Sequence, residues 1–234
     1  MKTGQVVTAD EWLKARVELL RQEKEHSRAR DALVRKRMAM PWVEIKKDYV
    51  FDGPSGPVSL KELFGGKDQL IIYHFMFDPE WEAGCKSCSF IADHIDPSTA
   101  HIAERDVALA IVSKAPIEKL QSFKQRMGWR FRWVSSAGSE FNRDFHVSFT
   151  DEELDGKGYY NFREQGFPCR EAPGISVFAK GDDGATYHTY SAYARGLEDY
   201  IGAYRLLDIA PKGRNEGDLS YGMEWLRLKD EYDR

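Results

Sequence analysis

The stretch from residue 70 to residue 88 has the sequence LIIYHFMFDPEWEAGCKSC. Its apolar first part, residues 70–77, is typical of a buried strand, and its end opens a predicted helix over residues 88–95. A CxxC pair between a strand and a helix is typical of thiol–disulfide chemistry. This spacing lets the sulfurs of Cys85 and Cys88 meet as a disulfide, while the Cys85 thiolate stays exposed at the helix N-terminus. There the helix dipole and free N–H groups favour an anion.

The composition limits the class of protein. The chain has 234 residues, of which 42% are hydrophobic and 13% aromatic, which suffices for one domain with extensions. Its net charge of −4 gives no pull toward nucleic acid or an anionic membrane. No apolar run approaches a membrane span of about 18 residues, and the N-terminus lacks the apolar core of a signal peptide. We therefore expect a soluble cytoplasmic protein without a nucleic-acid or membrane partner.

The cysteine count agrees with a reducing compartment. Three cysteines are too few for a secreted disulfide scaffold. In the cytoplasm a CxxC pair is more often redox-active or metal-binding than structural. We expect no cofactor.

Residues 8–40 form one long predicted helix. Thr8 and Glu11 have the spacing of a capping box, and Pro41 ends the segment. The pattern fits a solvated helix packed on one face, and it also fits a dimerisation arm, so a homodimer is a possible assembly. The basic residues between positions 28 and 37 lack interleaved aromatic side chains, which argues against RNA binding.

The remaining elements alternate between strands and helices. Residues 107–112 form a second short apolar run, and a helix follows from Pro116 to Gly128. Two further segments, residues 174–179 and 185–193, are typical of an antiparallel hairpin. Helical crossovers make the first strands parallel, and the hairpin adds an antiparallel part. The predicted fold is an α/β, thioredoxin-like mixed sheet with helices on both faces.

This order of elements predicts three parts of the chain. Residues 1–42 are an N-terminal helical extension, and residues 43–210 are the thioredoxin-like domain. Residues 211–234 are a C-terminal tail that packs on the domain through its aromatic side chains. Within the domain, residues from about 135 to 172 form an insertion before the final hairpin. We expect it to be ordered, because disordered segments are poor in aromatic residues.

Several motifs resemble one known family. They include the segments 73–77 (YHFMF), 83–90 (AGCKSCSF), 127–131 (MGWRF) and 190–196 (YSAYARG). Over nearly its whole length the chain resembles the bacterial thioredoxin-like family catalogued as domain of unknown function 899. The resemblance implies a thioredoxin fold and a dithiol–disulfide oxidoreductase whose substrate is not established.

The CxxC segment departs from two better-known branches of the fold. Thioredoxins place Trp before the first cysteine and Gly-Pro between the pair, whereas this chain has Gly84 and Lys86-Ser87. Peroxiredoxins place Thr or Ser three residues before the reactive cysteine and Pro seven before it. Here Glu82 and Asp78 occupy those positions, so we do not expect a standard peroxidase mechanism.

Ala172 and Pro173 take the place of a further feature of the fold. Thioredoxin-like proteins carry a cis-proline before the final hairpin, facing the CxxC pair. We therefore expect Pro173 to be cis and the backbone of Ala172 to pair with a bound substrate. The alternative is an ordinary trans-proline at a strand start.

The CxxC pair carries the predicted chemistry. Cys85 is the expected attacking thiolate, with Lys86 adding a favourable charge, and Cys88 is the resolving thiol. The substrate is a disulfide in a protein or a small molecule, and Trp81 either stacks on it or packs the loop. Cys169 is either a passive thiol, as we expect, or an extra resolving thiol.

A second hypothesis remains open. The protein could be a metal-binding or partner-binding thioredoxin-like module without redox turnover. Cys85, Cys88, His94 and His101 could supply four ligands, although their spacing matches no common zinc finger.

Overall fold

The computed structural model describes residues 4–232 and divides into two compact units, with the boundary between Pro41 and Trp42. The first unit is built around α1 (Ala9–Met38), which begins with both hydrogen bonds of the predicted capping box at Thr8. No residue of α1 is buried. Within the described residues, none of the helices combines the length and apolar character that a membrane crossing requires.

The second unit is built on an eight-stranded mixed sheet with the order β1-β10-β9-β4-β5-β6-β2-β3. Its strands are β1 (Val43–Glu44), β2 (Val50–Gly53), β3 (Gly56–Ser59), β4 (Gln69–His74), β5 (Val107–Ser113), β6 (Arg132–Ser135), β9 (Gly174–Lys180) and β10 (Thr186–Tyr193). A separate hairpin joins β7 (Tyr159–Tyr160) and β8 (Arg163–Glu164). The helices after α1 are α2 (Leu60–Leu63), α3 (Lys86–Ile95), α4 (Thr99–Ala103), α5 (Ile117–Met127), α6 (Phe141–Asp144), α7 (Asp151–Leu154) and α8 (Gly202–Asp208). Two 3₁₀ helices cover Asp96–Ser98 and Ala194–Tyr200.

The strand directions confirm the predicted thioredoxin-like mixed sheet. β4 pairs in parallel with β5, and β5 pairs in parallel with β6. β9 runs antiparallel to β4 and forms the final hairpin with β10. Parallel neighbours need a crossover, and α3 and α4 supply one while α5 supplies the next. α5 ends at Gly128, whose φ of +66° favours glycine.

Alternation along the central strands separates the core into two clusters. Tyr73 of β4 belongs to the first cluster, together with side chains of α3 and α5, whereas its neighbour Ile72 belongs to the second. Successive side chains of a strand point to opposite faces, so the CxxC helix and Tyr73 share one face of the sheet. The first cluster includes the edge-on and tilted rings of Phe75, Trp129 and Trp133.

The insertion before the final hairpin has secondary structure of its own. It contains α6, α7 and the β7–β8 hairpin, and it pairs with itself through a bridge between Ser148 and Glu171. Val147, Tyr160 and Ala172 bury their side chains in a third apolar cluster. This arrangement fixes the chain directly before Pro173.

Candidate functional site

The CxxC turn is anchored to the end of β4. Cys85 is the N-terminal capping residue of α3, and its N–H donates to the Met76 carbonyl at 3.1 Å. Its own carbonyl accepts from the N–H and the hydroxyl of Ser89 at 2.8 and 2.9 Å. These bonds hold the first cysteine at the helix N-terminus, as the sequence predicts.

The packing around Gly84 leaves no space for a side chain at the position before the first cysteine. A Cβ at this position would lie 2.6 Å from Cε1 of Phe75 and 2.8 Å from Cε1 of Phe123. Both rings are buried in the first core cluster, so neither moves freely. The aromatic core therefore requires glycine where thioredoxins carry tryptophan.

The two sulfurs have different surroundings. Cys85 is partly exposed, whereas Cys88 is 1% exposed and accepts a hydrogen bond from the Met76 N–H at 3.4 Å. All three cysteines are free thiols. The first cysteine is therefore partly accessible to solvent, and the second is buried in the core.

The electrostatics of the pair are also asymmetric. The thiol of Cys88 and the N–H groups of Cys88 and Ser87 donate to the Cys85 sulfur, which lowers the pKa of Cys85 to about 7 although burial opposes this. Burial, followed by the neighbouring Cys85, raises the pKa of Cys88 well above its ordinary value. Lys86 is exposed, and hydrogen bonds rather than its charge dominate the lowering. The lowered pKa favours the nucleophilic thiolate of Cys85, and the raised pKa keeps Cys88 protonated at neutral pH.

A cavity of about 510 Å³ reaches Cys88 from one side. Ser87, Cys88 and Pro173 line it beside apolar side chains that include Leu197 and Ile201. A volume of this size is in the range of small-molecule sites.

The C-terminal tail forms one wall of this cavity through Arg214, Glu216 and Met223. Glu216 Oε1 holds the wall together, because it accepts from the hydroxyl of Tyr204 at 2.8 Å, the Met223 N–H at 3.1 Å and the indole N–H of Trp225 at 2.7 Å. Nothing in the sequence pattern indicated that the tail borders the thiols.

The predicted substrate-contact residues occupy different places. Pro173 lines the cavity with Cys88. Trp81 is partly buried and packs against the first core cluster, and its backbone N–H donates to the Asp78 carbonyl at 3.1 Å. Ala172 is 2% exposed and belongs to the third cluster. Only Pro173 of these three residues shares the cavity with a cysteine of the pair.

The prediction that Pro173 is cis is wrong, because the peptide bonds of residues 4–232 include no cis bond. The preceding segment is held extended by pairing within the insertion. The Ala172 N–H donates to the Val147 carbonyl at 2.8 Å, and the Phe149 N–H donates to the Arg170 carbonyl at 2.8 Å. The Ala172 N–H is therefore occupied and is not a free donor for a substrate strand.

The possible metal ligands do not converge. Among residues 4–232, no three His, Cys, Asp or Glu side chains form a group that could hold a metal ion. His94 uses both ring nitrogens within the fold: Nδ1 lies 2.6 Å from the Phe90 carbonyl, and Nε2 accepts from the Ala203 N–H at 3.0 Å. The described residues thus give the metal hypothesis no site.

Sequence reasoning missed a buried carboxyl group in the insertion. Glu171 is 4% exposed, and its two oxygens accept from the Ser148 hydroxyl at 2.6 Å and the Asn142 amide at 3.1 Å. Burial raises the pKa of Glu171 to about 7. Its burial follows from the pairing of two segments about 23 residues apart, which no local pattern encodes.

Comparison with solved structures finds weak overall similarity. The crystal structure of peroxidoxin BcpB from Mycobacterium tuberculosis is similar with a TM-score of 0.48 and 12% identity, over 71% of this chain and 97% of that one. A putative thiol:disulfide interchange protein DsbE from Chlorobium tepidum gives 0.43 and 12%, over 70% and 98%. Peroxiredoxin Q from Xanthomonas campestris gives 0.42 and 12%, over 72% and 96%.

Sequence comparison gives a clearer result. No curated protein matches the chain. The sequence profile of one family, described as bacterial protein of unknown function (DUF899), matches residues 1–232. The chain belongs to this family, as its motifs predict.

Proposed function

We propose that the protein is a thiol–disulfide oxidoreductase that uses Cys85 and Cys88. The observation that carries the proposal is the asymmetry of the pair. Cys85 is partly exposed with a lowered pKa, and Cys88 is buried with a raised one. A nucleophilic thiol beside a protected resolving thiol is the arrangement that stepwise exchange requires.

The reaction proceeds in two exchanges. The Cys85 thiolate attacks one sulfur of the substrate disulfide, whose S–S bond breaks as a new one forms to Cys85, and half of the substrate leaves as a thiolate. Cys88 then loses its proton to solvent and attacks the Cys85 sulfur. The second half leaves as a thiolate, and the protein keeps a Cys85–Cys88 disulfide. Two electrons have passed to the substrate, and a thiol reductant must return them.

The cavity beside Cys88 is the proposed place for part of the substrate. Its volume of about 510 Å³ and its lining of both apolar and charged side chains suit a small-molecule disulfide or a single side chain of a protein disulfide. Pro173 is the proposed contact there, and Trp81 is the proposed contact on the exposed side of Cys85. In the cytoplasm, the compartment that we propose, the glutathione pool would return the pair to the dithiol state.

A homodimer through α1 is a separate proposal about assembly. Trp12, Leu13 and Val17 are 59%, 54% and 57% exposed, and no residue of the helix is buried. A second copy of the helix could cover this apolar surface. Sedimentation of the full chain tests it: a concentration-dependent dimer that Val17→Glu abolishes supports the proposal, and a monomer at all concentrations overturns it.

A redox titration with mass-spectrometric trapping tests the proposed function. Wild type is equilibrated in glutathione buffers and alkylated, and the Cys85–Cys88 disulfide should appear with a single midpoint. Cys88→Ser should accumulate a mixed disulfide on Cys85, and Cys85→Ser should form none. Cys169→Ser is the matched control and should behave as wild type.

Two results would overturn the proposed function. One is a Cys85 thiol that alkylates at pH 7 no faster than a free cysteine. The other is stoichiometric zinc in protein purified without added metal, lost in either Cys85→Ser or Cys88→Ser, which would support the metal-binding alternative.

A further inference from the structure

Tyr73 carries a buried hydroxyl group without a hydrogen-bond partner. Its side chain is 0% exposed, and among residues 4–232 the hydroxyl oxygen forms no hydrogen bond. A buried tyrosine hydroxyl usually has a partner, because leaving it unpaired loses the hydrogen bonds that water would give. An exception next to reactive groups needs a physical explanation.

After burial, the thiol of Cys88 is the group that contributes most to raising the pKa of Tyr73. The two side chains belong to the same core cluster, but their geometry is looser than that of a formed hydrogen bond. The Cys88 sulfur already accepts from the Met76 N–H at 3.4 Å. Tyr73 is therefore in reach of the resolving sulfur without being committed to it.

The other titratable groups that act on Tyr73 are Cys85 and Tyr160. The hydroxyl of Tyr160 is already engaged, because it donates to the Pro173 carbonyl at 2.7 Å and accepts from the Ala194 N–H at 3.0 Å. Cys85 lies on the exposed side of the pair and is the sulfur that Cys88 attacks. Tyr73 is thus the hydroxyl of this group that can turn to Cys88 without breaking another bond.

We propose that Tyr73 is a positioning residue for Cys88: its hydroxyl donates a hydrogen bond to the Cys88 sulfur whenever that sulfur carries negative charge. This inference rests on the proposed dithiol function. The charge develops twice, once when Cys88 attacks the mixed disulfide on Cys85, and once when a reductant attacks Cys85 and Cys88 leaves as a thiolate. In both events the hydroxyl and the sulfur must also move closer to hydrogen-bond geometry, because in the reduced protein the two atoms do not form a hydrogen bond.

The effect should appear in rates and not in the equilibrium. A hydrogen bond to a charged acceptor is about twice as strong as one between neutral groups. At pH 7 Cys88 is a neutral thiol in the reduced protein and part of a disulfide in the oxidised protein. The bond to a thiolate exists only along the path between them, so it lowers the barrier for both directions equally.

Tyr73→Phe tests the inference, because it removes an oxygen that has no hydrogen bond to lose. We would measure oxidation of the reduced protein by oxidised glutathione, reduction of its disulfide by dithiothreitol, and the equilibrium in glutathione buffers at pH 7. Both rates should fall about tenfold, the loss of one charge-assisted hydrogen bond, with an unchanged midpoint. The pH at which resolution by Cys88 becomes half-maximal should rise.

Tyr49→Phe is the matched control. Its hydroxyl donates to Asp144 at 2.7 Å, and Tyr49 belongs to the core cluster on the opposite face of the sheet. It should leave both rates and the pH profile unchanged.

Equal rates in Tyr73→Phe and wild type would overturn the role of Tyr73 and leave the proposed function intact. A changed midpoint with an unchanged pH profile would overturn it too, because that indicates altered packing. A wild type that forms no Cys85–Cys88 disulfide would instead overturn the proposed function itself.

Discussion

The CxxC turn and the insertion each contain a group whose pKa is about 7. The pKa of one group is lowered to this value, and the pKa of the other is raised to it. The pKa of Cys85 is lowered by hydrogen bonds from the Cys88 thiol and from two N–H groups of the helix start. The pKa of Glu171 is raised by burial, against donors on Ser148 and Asn142. The environment of Cys85 favours its charged form, and that of Glu171 favours its neutral form.

This difference separates the proposed reactive site from a structural one. Cys85 is partly exposed and is followed in α3 by the buried thiol of Cys88, the arrangement that the proposed exchange with a substrate requires. Glu171 has a donor on each oxygen and is closed off from solvent. A perturbed pKa alone therefore does not identify a reactive site. The exposure of the group and the hydrogen-bonding capacity left on its neighbours must be known as well.

The largest expected effect on stability concerns Glu171. Its folded pKa is about 7, above the value of 4.5 for the unfolded chain, so its contribution is complete below pH 4.5 and is lost as the pH rises to 7. Relative to Glu171→Gln, the unfolding free energy of wild type should fall by about 3 kcal/mol over this window. Urea unfolding at pH 4.5, 6 and 8 measures it.

Wild type is compared with Glu171→Gln because His74 also changes the pH dependence of stability in the same pH range. Burial lowers the pKa of His74 to about 3, so its contribution rises with pH up to about 6.5 in both proteins and cancels. Glu164→Gln, at an exposed position, is the control and should run parallel to wild type. A Glu171→Gln curve that also runs parallel would show that Glu171 is ionised in the fold.

Gly84→Ala should have the next largest effect. The new Cβ would lie within 3 Å of the rings of Phe75 and Phe123, and overpacking of this kind costs about 1–3 kcal/mol. Because Gly84 precedes Cys85, displacement of the loop should also raise the pKa of Cys85, measured from the pH dependence of alkylation. Gly138→Ala is the control, since a Cβ there has open space. Wild-type stability in Gly84→Ala would contradict the close approach of the rings.

The contribution of Cys85 to the free energy of unfolding should change with pH in the opposite direction to that of Glu171. Its folded pKa of about 7 lies below its ordinary value of 9.0, so its contribution is complete above pH 9 and is lost as the pH falls through 7. Relative to Cys85→Ser, the free energy of unfolding of the reduced protein should rise by about 1–2 kcal/mol between pH 7 and 9, less than the full pKa shift implies because Cys85 is partly exposed. The oxidised protein should show no such gain in stability. A gain in the oxidised protein would mean that another group causes the effect.

Much of the fold and part of the site follow from local sequence. The apolar run at residues 70–77 predicted β4, and Thr8 and Glu11 predicted the start of α1. The helix predicted over residues 88–95 is α3, which begins two residues earlier, at Lys86. These features depend on neighbours within one or two turns of chain. The parallel pairing of β4, β5 and β6 follows because helical crossovers join these strands.

The features that sequence reasoning missed depend on distant partners. The cis prediction for Pro173 failed because residues 147–149, far away in sequence, hold the preceding segment extended. The tail wall of the cavity depends on Glu216 meeting Tyr204 and Trp225. The unpaired hydroxyl of Tyr73 depends on which atoms fill the core around it. Such partners are set by packing, which a single sequence does not display.

The smallest effect is expected from Cys169, which tests whether the reactive region includes a third sulfur. Burial, followed by the charges of Cys85 and Asp78, raises the pKa of Cys169, so at pH 7 it stays a thiol and a poor nucleophile. Cys169→Ser should therefore leave the midpoint of the Cys85–Cys88 pair and both exchange rates unchanged within error. Peptide mapping after oxidation should find Cys169 free in wild type. A disulfide between Cys169 and either cysteine of the pair would extend the proposed reactive region into the insertion. It would thereby remove the contrast between the CxxC turn and the insertion.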